Sequence, residues 1–112
     1  MPVSAKSRNT GISVKKLKPI VNMVRGMGVE QALRTLTFMD SPAAARVAKT
    51  IKSAASNAEN ELMVRAEDLV ITSINADEGP RLKRFRARAR GRADRVIRRS
   101  SHITVCVDEE EI

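Results

Sequence analysis

Aromatic side chains are almost missing from this 112-residue chain: Phe38 and Phe85 are the only two, with no tryptophan or tyrosine. That argues against a module that splays single-stranded bases onto rings, because only Phe85 stands among basic residues as a platform. Cysteine is reduced to Cys106, which rules out a disulfide framework and any Cys-based zinc site and fits a reducing compartment. Histidine is reduced to His102, which rules out His-rich metal sites and leaves one unsupported group for acid–base work. No apolar run approaches the ~20 residues needed to span a bilayer. The segment Met1 to Asn9 lacks the apolar stretch of a secretory signal and carries Lys6 and Arg8 instead. No Gly/Ser linker and no internal repeat divides the chain. The expectation is a single cytosolic binding domain, residues 1–112, with no cofactor and no metal.

What is abundant is positive charge. Lys and Arg number 21 against 13 Asp and Glu, a net of +8 with a pI near 10.6. Such a balance implies a polyanionic partner, usually nucleic acid. Its position is more informative than its total. Residues 81–99 hold Arg81, Lys83, Arg84, Arg86, Arg88, Arg90, Arg92, Arg95, Arg98 and Arg99 against Asp94 alone, so this stretch carries +9. The other 93 residues hold 11 basic and 12 acidic groups, 11 − 12 = −1. The excess charge therefore belongs to one segment.

Around that segment the periodicities predict helices and strands. The first twelve residues form an extended arm or a short edge strand. Ser13 is placed as an N-cap, followed by Val14, Leu17, Ile20, Val21 and Val24 at helical spacing, with Pro19 inside the pattern and Gly26 and Gly28 at its end. Val29, Ala32, Leu33 and Leu36 make a second short helix to about Phe38. Asp40-Ser41-Pro42 signals a third start, a capping side chain and then proline at the first helical position. The run that follows, to about Glu61, is unbroken by Gly or Pro. Its apolar face is narrow and small: Val47, Ala48, Ile51, Ala54, Ala55, Ala58 and Leu62. Leu69 to Ile74 and His102 to Val107 are short, β-branched runs and read as strands.

Between those strands every even position from Arg84 to Arg92 is arginine, while the odd positions are Phe85, Ala87, Ala89 and Gly91. In an extended chain this spacing puts arginines on one side and small groups on the other. A helix would scatter them over two opposed faces. The expectation is a long hairpin with its tip at Arg88 to Ala93 and arms of about 13 residues, roughly 40 Å of projection at ~3.3 Å per residue. Residues 80–99 form this arm, and 1–79 with 100–112 the globular part. A two-stranded ribbon without apolar cover is marginal in water, so its order comes from what it binds. Arginine forks suit phosphate, and a tip of Arg, Ala and Gly suits recognition by backbone and shape.

Two rival classes are weighed. A hydrolase built on His102, Ser100, Ser101 and Asp94 lacks a glycine elbow and a second acid–base group, so no catalytic residue is expected. A DNA-architectural protein with basic β-arms usually carries apolar wedges at the tip, and here there are none. Membrane binding is a third and weak rival, since no helix pairs a broad apolar face with the basic run. Asp77-Glu78 and Glu109 to Glu111 lack the spacing of a metal-chelating loop.

The stretch from Lys83 through Arg95, running on through Arg98-Arg99-Ser100-Ser101-His102-Ile103-Thr104-Val105, resembles the C-terminal signature of bacterial large-subunit ribosomal protein twenty-two. Ser13 to Gly28, with Lys15, Leu17, Arg25 and Gly26, is similar to that family's first helix and turn, and Ser53 to Asn60 to its third-helix motif. The likeness spans essentially the whole chain. One departure is Ala87, where many bacterial members have proline, which implies a less rigid bend near the tip. The resemblance implies an α+β fold, with three helices packed on a small antiparallel sheet and a long basic β-hairpin protruding from it. It implies binding of 23S rRNA, support of its folding during assembly, and a hairpin that reaches inward to form part of the nascent-peptide tunnel wall. By position, Lys15, Lys16, Lys18, Arg25, Arg81, Lys83, Arg84, Arg86, Arg88, Arg90, Arg92, Arg95, Arg98 and Arg99 are the expected rRNA-binding residues. Arg88, Ala89, Arg90, Gly91, Arg92 and Ala93 are the expected tunnel-lining tip. Expected partners are 23S rRNA, neighbouring large-subunit proteins and the nascent peptide, in the cytoplasm, with no membrane and no homo-oligomer. Proximity of the arm to a macrolide site is implied by analogy.

Overall fold

The computed structural model describes residues 2–80, 82–87, 91 and 93–110, with the backbone alone for 82–87, 93–96 and 98. Strand β1 (Val3–Ser7) leads into helices α1 (Val14–Val24), α2 (Val29–Thr37) and α3 (Pro42–Leu62). A 3-10 turn at Ala66–Asp68 opens β2 (Leu69–Glu78), and β3 (Leu82–Ala87), β4 (Ala93–Arg98) and β5 (Ser101–Glu109) follow. The fold is α+β, with an antiparallel sheet of order β1-β5-β2 and a separate two-stranded ladder of β3 and β4.

The helices cover one face of the three-stranded sheet. Helix α3 lies against β1 and β5, α1 against β2, and α2 against α3. The alanine-rich face makes this possible: Ala43, Ala44, Ala54, Ala55 and Ala58 are buried together with Val47 and Ile51. Small side chains bring the helix backbone close to the sheet. Leu17, Ile20, Val21 and Val24 of α1 are buried as the helical spacing predicts, and the helix runs on through Pro19. Ser13 and Ser41 occupy the N-cap positions, but neither hydroxyl makes a capping bond; the backbone carbonyl of Ser13 accepts from Lys16 and Leu17 instead. Gly26 closes α1 at φ +81°, in the left-handed region that glycine enters without strain.

Strand β5 alternates cleanly, with Ile103, Val105 and Val107 buried. Strand β2 does not. Its register against β5 shifts between Ile71 and Ser73, a β-bulge at Thr72, whose hydroxyl donates to the Cys106 carbonyl at 3.1 Å. Unbroken alternation from Ile71 would turn Ser73 into the core. The extra residue shifts the phase so that Ile71 and Ile74 are both fully buried.

The strands are also longer than their apolar runs suggest. β2 continues through polar Asn75, Asp77 and Glu78, and the ladder with β5 ends at the Glu78–Ser101 pair. The break follows from Pro80, which has no N–H to give a ladder. The last bond before it runs from the Gly79 N–H to the Ser100 carbonyl at 3.0 Å. Among the described residues, the ribbon that resumes at the Leu82–Arg98 pair has six paired residues a side, ending at the Ala87–Ala93 pair. It still lengthens the molecule, whose longest extent is 67 Å. The radius of gyration is 17.2 Å, against about 13 Å for a compact chain of this size.

Candidate nucleic-acid interface

The interface is built outward from the base of the ribbon, where a network of hydrogen bonds clamps the chain. Ser101 is fully buried, and its hydroxyl donates to the Ile12 carbonyl at 2.6 Å. Its oxygen lies 2.7 Å from Thr10 Oγ1, so with the serine proton spent on Ile12, Thr10 is the donor between them. The Thr10 N–H donates to the Ser101 carbonyl, the Gly11 N–H to Ser100 Oγ, and the Asn9 N–H to His102 Nδ1. As an acceptor, Nδ1 carries no proton, which fixes the neutral ring as the Nε2–H tautomer. Segment 9–12 is thereby strapped across the point where the ribbon leaves the sheet. Gly79 fits closely there: an added Cβ would lie 3.2 Å from the His102 ring and 3.3 Å from the backbone of Ser100 and Ser101, which would have to give by a few tenths of an ångström. Replacing Ser101 by alanine orphans its half-buried partners, Thr10 and the Ile12 carbonyl, and lowers stability by about 1–3 kcal/mol, a drop of several degrees in Tm by thermal circular dichroism. An unchanged Tm would mean that the strap contributes nothing.

Around this base the structure gathers several of the expected cations. Lys16 and Arg99 line one open groove with Ile97 and the first residues of α3, and Lys15 and Arg99 line another beside Gly79. Lys18 is exposed on α1, away from both grooves. Arg25 has a structural duty as well, since its Nη2 donates to the Ile74 carbonyl at 2.9 Å on the outer edge of β2. Together with the bond from Ile71 N–H to the Met27 carbonyl, it covers that edge.

In the ribbon, Arg84 pairs with Val96, Phe85 with Arg95 and Arg86 with Asp94. Directly paired positions share a face, so positions 84, 86 and 98 fall on one face and 83 and 95 on the other. One strand alone suggests a single cationic side; the pairing strand adds cationic positions to the second. Gly91 is exposed with φ +74°, the left-handed conformation a tight tip requires. Arg81, Arg88, Ala89, Arg90 and Arg92 lie outside the described residues, as do the side chains of Lys83, Arg84, Arg86, Ala93, Arg95 and Arg98.

The nearly neutral remainder of the chain is polarised by the fold. The end of the sheet farthest from the ribbon is the Leu69–Glu109 rung, where the Glu110 N–H also donates to the Asp68 carbonyl at 2.8 Å. Glu67, Asp68, Asp108, Glu109 and Glu110 gather there, beside the C-terminal end of α3 with Glu59 and Glu61. Among the described residues there, Arg65 lies 3.6 Å from Glu67. Carboxylates at a helix C-terminus oppose the helix dipole at a cost of some tenths of a kcal/mol each. Their placement serves charge separation, not helix stability: an acidic pole at one end and a basic one at the ribbon.

Comparison with known proteins decides what this arrangement belongs to. Residues 5–108 match the family model described as ribosomal protein L22p/L17e. The chain belongs to the L22p/L17e family of ribosomal proteins. It is 45% identical over 112 residues to the large ribosomal subunit protein uL22 of Herpetosiphon aurantiacus, covering 100% of this chain and 99% of that protein. It is 50% identical over 107 residues to the uL22 protein of Dehalococcoides mccartyi, covering 96% and 98%.

Family membership makes the chain a structural ribosomal protein of the large subunit and not an enzyme. Three of the four residues that suggest a hydrolase, Ser100, Ser101 and His102, make side-chain hydrogen bonds to the backbone of residues 9–12 or to Thr10 in the strap, and the side chain of Asp94 lies outside the described residues. Sequence reasoning missed Thr10, the strap and the Gly79-Pro80 break. The dipeptide is a legible turn signal; the strap is not, because its partners are about 90 residues apart in the chain.

Proposed function

We propose that this L22p/L17e chain binds 23S rRNA in the cytoplasmic large subunit, stabilises its folding during assembly, and lines part of the nascent-peptide tunnel with its hairpin tip. The observation that carries it is the charge partition: +9 within residues 81–99, on a ribbon that projects from a sheet with the opposite pole acidic. The ribbon is a two-stranded ladder of its own, which in water needs a partner for its order. RNA supplies phosphates to the arginines, and neighbouring large-subunit proteins complete the surroundings. The tip, Arg88 to Ala93, is slim and free of nucleophiles and of groups that titrate near neutral pH. That suits a wall past which every nascent peptide must slide without reacting.

The same reading divides the chain into a globular part, residues 1–79 and 100–112, and an arm, 80–99. Deleting residues 84–94 is expected to leave a cooperatively unfolding domain whose core signal persists, followed by far-UV circular dichroism. Loss of cooperative unfolding would place the arm within the folding unit. The functional test is a salt titration of binding to transcribed 23S rRNA and to duplex DNA of equal length. With about 6–10 phosphates held, rRNA affinity falls by ~10³–10⁵ between 50 and 200 mM salt, while remaining well above DNA affinity at each salt. Equal affinity for both would favour a general polyanion binder.

A further inference from the structure

One of the chain's two aromatic side chains is left unused by the fold. Phe38 closes α2 with a backbone that is still helical, φ −83° and ψ −6°, and its N–H donates to the Leu36 carbonyl. The Met39 N–H donates to that same carbonyl at 3.1 Å. Met39 is half-buried against the core after this tight turn, whereas Phe38 is 85% exposed.

Beside the ring, Thr37 and Met39 form one wall of a groove of about 340 Å³ between the end of α2 and α3. Leu36, Met39, Ala45 and Ala48 give it an apolar floor, and Lys49 and Lys52 stand on its rim. Positions 45, 48, 49 and 52 fall at i, i+3, i+4 and i+7, so one face of α3 supplies methyl groups and cations together. Both lysines are exposed, and among the described residues neither is in an ion pair and no carboxylate lines the groove. The Thr37 hydroxyl already donates to the Leu33 carbonyl at 2.7 Å. That leaves the two ammoniums as the side-chain donors of the groove.

An apolar floor with cations along one rim selects a ligand that carries an apolar group next to negative charge. A nucleic-acid backbone brings the charge, but it would lay ribose hydroxyls against methyl groups that cannot hydrogen-bond them. A peptide with Asp or Glu beside an aliphatic side chain brings both. Aromatic residues and methionine are also the side chains enriched where protein meets protein. We propose that the groove between α2 and α3 docks an acidic peptide segment of a neighbouring large-subunit protein, its apolar side chain on the floor beside Phe38 and its carboxylates paired with Lys49 and Lys52. It rests on the placement in the large subunit proposed above.

The test uses large subunits purified with this chain in place. A carbodiimide condenses an ammonium with a carboxylate in contact with it, and mass spectrometry reads the linked peptides. The expected product joins Lys49 or Lys52 to an Asp or Glu of another large-subunit protein, within a stretch that also carries an aliphatic side chain. Phe38→Ala removes the exposed ring and leaves both lysines and the core in place, so the yield of that product should fall about tenfold. Met63→Ala truncates a side chain 87% exposed outside the groove and should leave the yield unchanged. Absence of any product, or links confined to carboxylates of this chain such as Asp40, would overturn the site. So would a yield that both truncations reduce, or that neither does. Ultraviolet crosslinking of Phe38 to rRNA without a carboxylate product would overturn it in favour of RNA. If the chain does not sediment with the large subunit at all, the proposed function itself falls, an outcome distinct from these.

Discussion

Exchanging Arg84, Arg86, Arg95 and Arg98 together for glutamine is expected to weaken binding to 23S rRNA by roughly 10³-fold near 0.1 M salt. Each phosphate held by a cation contributes about 0.7–0.9 to the slope of log affinity against log salt, so four lost contacts remove about 3 from it. The effect should be nearly uniform across RNA sequences, since phosphate contacts fix position and carry no base information. Lysine in place of glutamine should restore most of the affinity by charge, though not all, because the ammonium lacks the bidentate fork. The check is filter binding at four salt concentrations for all three proteins. A glutamine variant with an unchanged slope would show that the arm is not where phosphates are held. Stability of the isolated chain should scarcely move, because these positions belong to the two-stranded ladder of β3 and β4, separate from the three-stranded sheet that the helices cover.

The largest effect on folding is expected at Ile51. This side chain is fully buried on the face of α3 that packs on the sheet, among alanines too small to close over a gap. Ile51→Ala should cost about 2–5 kcal/mol, through lost transfer free energy and the cavity left behind. Domains of this size have only about 5–15 kcal/mol in hand. Ile51→Val, which removes one methyl group, should cost about 0.5–1.5 kcal/mol. Urea unfolding followed by circular dichroism gives both values. Near-equal midpoints for the two variants would mean that α3 does not form the tight seam described. At the opposite extreme, Phe38 is 85% exposed, and Phe38→Ala should leave the midpoint where it is.

How far the sequence discloses this molecule depends on whether the information is local. The seam of α3 is legible because alanine, valine and isoleucine recur at helical spacing without interruption. The arm is legible because its charge is concentrated and its arginines alternate. The phase of β2 is not, because a bulge at Thr72 decides which of Ser73 and Ile74 turns inward, and composition does not mark a bulge. The N-cap serines occupy their expected positions, yet their hydroxyls make no cap bond, since the local geometry leaves that work to the backbone. The strap of Thr10 on Ser101 and the meeting of Leu36 and Met39 with Lys49 and Lys52 need the fold before they exist. A net charge of −1 over the remainder conceals an acidic pole, because a sum has no direction.

The most direct test of the central claim, that this chain is an integral rRNA-anchored component of the large subunit, is sedimentation of cell lysate through sucrose at moderate and then high salt. The chain is expected to travel with the large subunit and to stay with it through the high-salt wash, since many phosphate contacts formed during assembly do not release together. Release into the soluble fraction at modest salt would contradict this and leave a peripheral nucleic-acid binder.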